Sequence, residues 1–181
     1  MNSLILLLAF SVPMGQDPLS RVIFDVEIIQ GERRVAAKMV LNQLNDQSYS
    51  ITCRKNTAGT LFTYWATAKR NTLYFPREQV AFVGNADEDY RLFPDGPALS
   101  RDQWMTLLFE HKSVDMGPFT MRIDETWREL SADRKDWRIR WRERARSTKN
   151  RYSSRVLTPT LKSGTSVKTM DQMRAWWTGK P

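Results

Sequence analysis

From Arg21 onward, apolar residues recur at every second position through much of the chain. In RVIFDVEIIQ (21–30), Val22, Phe24, Val26 and Ile28 share one parity, while Asp25 and Glu27 take the other. VAAKMVLNQL (35–44) repeats the pattern with Val35, Ala37, Met39 and Leu41, and YSITC (49–53) with Tyr49, Ile51 and Cys53. TLFTYWAT (60–67) carries aromatic residues on both parities, and TLYF (72–75) and QVAFVG (79–84) follow. Period two marks strands with one covered face. The intervening GERR (31–34), NDQS (45–48), NTAG (56–59), AKRN near 67–71 and PRE (76–78) read as turns. Short strands about ten residues apart predict an antiparallel meander forming a sandwich or barrel, mainly β with few helices.

After residue 84 the pattern changes. NADEDYRLFPDGP (85–97) is an acidic loop with Pro and Gly. Ser100 with Gln103 forms a capping box, and Trp104, Leu107 and Leu108 recur at helical spacing. An amphipathic helix is therefore expected from Ser100 to about Glu110. Lys112 to Pro118 reads as a loop, and 119–130 fits strand or helix equally. In WRIRWRERAR (137–146), Trp137, Ile139 and Trp141 hold one parity, and Arg138, Arg140, Arg142, Arg144 and Arg146 the other. A strand with its tryptophans inward and five arginines outward accounts for this, whereas a helix would wrap the arginines round its axis. YSSRVLTP (152–159) and SVKTM (166–170) read as two more strands. MDQMRAWW (170–177) reads as a closing helix docked through Met173 and the Trp pair.

Charge sharpens the picture. Residues 134–155 hold ten Lys or Arg and two acids, a surplus equal to the +8 of the whole chain, so the remainder is neutral. With 41% apolar residues and seven Trp, the 181-residue chain suits one folded domain with a real core. A single Cys excludes an intrachain disulfide framework and a multi-cysteine metal cluster. Cys53 reads as a small apolar strand residue. Leu4 to Val12 is an apolar run, too short for a bilayer, which needs about 20 residues. It has the length of a signal-peptide core, with Pro13 to Gln16 holding a cleavage site, although Asn2 and Ser3 supply no positive charge before it. The expected organisation is a signal peptide at 1–16 and one domain at 17–181. A buried N-terminal strand or helix is the alternative.

Catalytic chemistry is hard to find. His111 is the one histidine, it follows the helix, and no G-x-S-x-G elbow, phosphate-cradling glycine loop or dinucleotide fingerprint is present. Asp87, Glu88 and Asp89 lack the glycine and spacing of a calcium loop, and Asp124 and Glu125 are chain neighbours. No enzyme, cofactor or metal is expected, and the catalytic residues are none.

Several stretches together resemble the bacterial lipoprotein carrier and receptor superfamily, the periplasmic LolA-like and outer-membrane LolB-like proteins. They are VIFDVEIIQGERRVAAKMVL, TLYFPREQVAFVG (72–84), ALSRDQWMTLLF (98–109) and VLTPTLKSGTSVKTMD (156–171). The likeness lies in strand lengths and punctuation over most of 19–171. It implies an antiparallel, incompletely closed β-barrel capped by helices, with an apolar cavity for the acyl chains of lipids or lipoproteins. The function implied is outer-membrane lipoprotein localisation, in the periplasm or envelope of a Gram-negative-type bacterium. Cavity candidates are Phe24, Val26, Met39, Leu41, Ile51, Leu61, Trp65, Phe75, Phe82, Trp104, Leu108 and Trp141. The absence of a Cys after the apolar run favours a soluble carrier over an anchored receptor, and a monomer is expected. The arginine face would meet anionic headgroups or an acidic protein partner. Two other readings stand beside it. One is a basic β protein binding nucleic acid through Trp137, Trp141 and Tyr152, disfavoured because tryptophan and arginine alternate. The other is a structural envelope protein without a lipid cavity.

Overall fold

The computed structural model describes residues 19–45, 47–93, 96–110, 116–124, 126–132, 136–149 and 154–178. The segment expected to be a signal peptide, His111 and Tyr152 lie outside them. Among the described residues there are ten strands: β1 Leu19–Gln30, β2 Arg33–Asn45, β3 Ser48–Lys55, β4 Gly59–Ala66, β5 Arg70–Phe75, β6 Val80–Asn85, β7 Phe119–Ile123, β8 Arg128–Ala132, β9 Trp137–Lys149 and β10 Ser166–Thr169. They form one sheet in the order β10-β6-β5-β4-β3-β2-β1-β9-β8-β7, which is not closed on itself. The meander from β1 to β6 is antiparallel with successive neighbours, as its short turns require. The expectation of a wholly antiparallel sheet needs correcting at one end, where β10 pairs with β6 in parallel. A parallel pair needs a long crossover, and residues 86–165 supply one.

One face of the sheet is covered. Val22, Phe24, Val26, Ala37, Met39, Leu41, Tyr49, Ile51, Cys53 and Phe62 are all buried there, in the parity that alternation predicts. The sheet curls around them. Phe93 lies 5.7 Å from the ring of Phe62 on β4 and 6.4 Å from that of Trp137 on β9. The Phe62 and Trp137 rings are therefore no more than about 12 Å apart. Four strand spacings in a flat sheet would put them roughly 19 Å apart.

The ambiguous stretch 119–130 falls in an antiparallel hairpin, β7–β8, with Leu130 opposite Ile139 of β9. The capping-box helix forms as expected. In α1, Arg101–Met105, the Ser100 hydroxyl accepts from the Gln103 N–H and the Gln103 side chain accepts from the Ser100 N–H. It continues as a π-helical turn, Thr106–Glu110. The closing helix is α2, Gln172–Thr178, with Met173 buried. The strand expected at 152–159 does not form in its described part. Ser154–Leu157 is a 3-10 turn, and the chain then crosses the outer face without joining the sheet. Thr158-Pro159 favours such a break, since proline offers no N–H to a ladder.

Candidate functional site

The inner face of the curled sheet is roofed by the connection between β6 and β7. Tyr90, Leu92, Phe93, Leu99, Trp104, Leu107, Leu108 and Met116 descend from it into the same core as the strand residues. An isolated bridge between Tyr90 and Leu99 pins the loop, and the indole N–H of Trp104 donates to the Tyr90 carbonyl at 3.1 Å. Beyond the loop, α2 lays Trp176 and Trp177 against Phe75, at 4.9 and 5.1 Å between rings.

Ten of the twelve cavity candidates meet on this face: Phe24, Val26, Met39, Leu41, Ile51, Phe75, Phe82, Trp104, Leu108 and Trp141 are all buried in the one cluster. Leu61 joins it only at the margin. It has no partner between Thr60, opposite Arg54, and Phe62, opposite Cys53, so it is the extra residue of a bulge and is half-buried against the core. Trp65 does not belong to the group. It packs on the outer face with Tyr74, Ala81 and Leu161, its ring 6.5 Å from that of Tyr74. Alternation singled out Tyr49 of this site but not Tyr64 or Tyr90, which cluster with it. Tyr64 and Tyr90 have rings 4.0 Å apart, the Tyr49 and Tyr90 hydroxyls are 3.2 Å apart, and the Tyr49 hydroxyl also donates to the Arg101 carbonyl. Burial holds all three phenols well above their ordinary pKa.

In β9, Trp137, Ile139 and Trp141 point inward and Arg138, Arg140 and Arg142 outward, as expected. The outward arginines are not a bare basic face. Arg140 meets Glu27 at 3.2 Å, and Arg142 and Arg144 meet Asp25 at 3.3 and 3.5 Å. Arg140 and Arg142 also stack on Trp127, at 4.3 and 4.8 Å from the ring centroid. Among the described residues, Arg138 has no ion pair.

The fifth arginine departs from the expected face. Ile23 opposes Ala145 while Phe24 opposes Glu143, so Arg144 is a bulge residue and parity inverts after it. Glu143 and Arg146 therefore share the inner side with Phe24 and Val22. Arg146 grips Glu143 with two nitrogens, at 2.7 and 3.1 Å. Arg128, opposite Trp141, faces the same way, and burial lowers its pKa while Glu143 opposes that shift. The inner face thus ends in a charged rim beside Trp141. The indole Nε1 of Trp141 is buried with no acceptor among the described residues.

No group of acids, His or Cys able to hold a metal occurs among the described residues, and no described helix is long and apolar enough to cross a membrane. Burial pushes the Cys53 thiol up to about 12, which leaves it protonated and inert at neutral pH. No family model matches the chain, and no curated protein matches its sequence.

Proposed function

We propose that the protein is a non-enzymatic carrier that takes an acyl chain of a lipid or lipoprotein between the inner face of its sheet and the roof to which Tyr90, Leu99, Trp104, Leu108 and Met116 belong. The observation that carries this reading is the kind of cover. An apolar face spread over eight strands is roofed by one connecting loop and a short helix rather than by a second sheet. Such a roof can swing out without breaking the strand ladder. An acyl chain replacing it recovers about 0.8 kcal/mol per methylene, which offsets the lost roof contacts. The rim fits the polar end of such a ligand. The Trp141 N–H would donate to an ester carbonyl, and Arg128 and Arg146 would face a headgroup. On this reading the protein works in the periplasm or envelope, in lipoprotein localisation.

Nucleic-acid binding is the weaker reading, because Trp137 and Trp141 lie buried under the inner face and the arginines beside them are largely paired. The test is native mass spectrometry of the protein purified from the envelope of its host, followed by titration of delipidated protein with a fluorescent acyl ester. Co-purified lipid and one saturable site are expected. Trp141→Phe keeps the packing and should weaken ester binding while sparing an unsubstituted hydrocarbon probe. A clean protein that takes up no acyl ester would overturn the carrier reading in favour of a structural envelope role.

A further inference from the structure

The outer face carries a pocket of about 320 Å³ whose chemistry is unlike that of the inner face. The sheet register builds its floor. Arg21 lies opposite Asn42, Asn42 opposite Ser50, and Ser50 opposite Trp65, so these side chains form one row across four strands. The 3-10 turn and the chain after it close over this row and bring Arg155 to the pocket, while Arg54 enters from β3. Asn42 and Ser50 are buried, unusual for polar residues on an outer sheet face, and the Asn42 amide donates to the Ser50 hydroxyl at 3.3 Å. Among the described residues, three arginines and no acid line the pocket. Asp25, on the same strand and face as Arg21, is paired with Arg142 and Arg144.

One further atom points to a ligand. The Nε of Arg21 is buried and has no acceptor among the described residues. A guanidinium nitrogen removed from water without an acceptor is costly, and an anion in the pocket would satisfy it. We propose that this pocket binds a phosphate group through Arg21, Arg54 and Arg155, with the Ser50 and Asn42 side chains ordering its floor. Guanidinium forks match phosphate oxygens in pairs, which favours Arg over Lys at such a site. Around 320 Å³ admits a phosphate with part of whatever carries it. The site does not depend on the inner-face reading, since the sheet itself separates the two.

The phosphate has two possible sources, and the experiment separates them. The full chain is titrated calorimetrically with inorganic phosphate. In parallel it is sedimented with phosphatidylcholine vesicles, plain or carrying phosphatidic acid, whose headgroup is a terminal phosphate. Saturable phosphate binding, weakened about tenfold or more in Arg21→Gln, assigns the site to a soluble anion. Binding only to the phosphatidic acid vesicles, lost in the same variant, assigns it to a headgroup. Arg54→Gln, at an exposed side chain, carries the test if Arg21→Gln does not fold. Arg138→Gln, on the arginine face, is the control for general charge. The proposal fails if neither probe binds, or if Arg138→Gln weakens binding as much as Arg21→Gln and Arg54→Gln do.

Discussion

Raising the pH should unfold this protein cooperatively near pH 11, and the reason lies under the roof. Tyr49, Tyr64 and Tyr90 are buried together, and desolvation is the largest cause of their raised pKa values. The hydrogen bond from Tyr90 offsets this only in part at Tyr49. Cys53, on the same face, is pushed up to about 12. In the unfolded chain the phenols ionise near pH 10 and the thiol at about 8.5. The unfolded state therefore loses protons that the folded state keeps, and stability falls as pH rises above the unfolded values. At about pH 11 each tyrosine removes about 1.4 kcal/mol and the thiol about 3 kcal/mol, roughly 7 kcal/mol together. That is comparable to the whole stability of a domain this size, about 5–15 kcal/mol. The assay is tyrosinate absorbance recorded alongside near-ultraviolet circular dichroism through an alkaline titration. Buried tyrosines should ionise only as the dichroism signal collapses, and Tyr64→Phe should move that collapse to higher pH. If all tyrosines ionise at ordinary values while the dichroism signal persists, the three hydroxyls are not packed under the roof.

Three further outcomes follow from the packing. Trp141→Ala should cost about 3–5 kcal/mol in urea unfolding, as for other buried aromatic truncations, whereas exposed Arg142→Ala should cost no more than about 1 kcal/mol despite its contacts with Asp25 and Trp127. Gly84→Ala should lose about 1–3 kcal/mol, because a Cβ there would stand 2.9 Å from the Met170 Cβ and against the Glu88 carboxylate; thermal unfolding of the variant would read this. Asn71→Ala should lose about 1–3 kcal/mol by the same measurement, since the fully buried Asn71 amide donates to the carbonyls of Asn85 and Ala86 at 2.9 and 3.2 Å and ties down the start of the roof.

The strands β1 to β3 are legible in the sequence because apolar residues hold one parity through most of their length. Legibility fails where the backbone breaks that count. Nothing in the residue types marks Leu61 or Arg144 as bulges, since a bulge is set by the length of the neighbouring strand. Five arginines at alternate positions look like one face, yet Arg146 lies on the other side of the inversion. Trp65 resembles Phe62 and Tyr64 in composition, and only the return of Leu161 over the outer face gives it a second core to join. The capping box made α1 readable, because its signal is local. The roof was legible only as a helix, because which face a loop covers depends on contacts far away in the chain. The outer pocket was not legible at all. Its arginines come from positions 21, 54 and 155, and the sheet register together with the 3-10 turn brings them together.

The placement of β1 has a consequence for how the chain must assemble. β1 precedes the other described strands in the chain, yet it lies inside the sheet, with β2 on one side and β9 on the other. Its second ladder joins Gln30 to Trp137 and Leu19 to Lys149, so one full edge of twelve residues stays unpaired until the last third of the chain arrives. Closing such distant pairs places folding on the slow side, in milliseconds to seconds. During that interval a long strand with a row of apolar side chains offers its open edge to any neighbour. A nascent copy of this protein therefore depends on β9 arriving soon, or on a chaperone that shields β1 until it does.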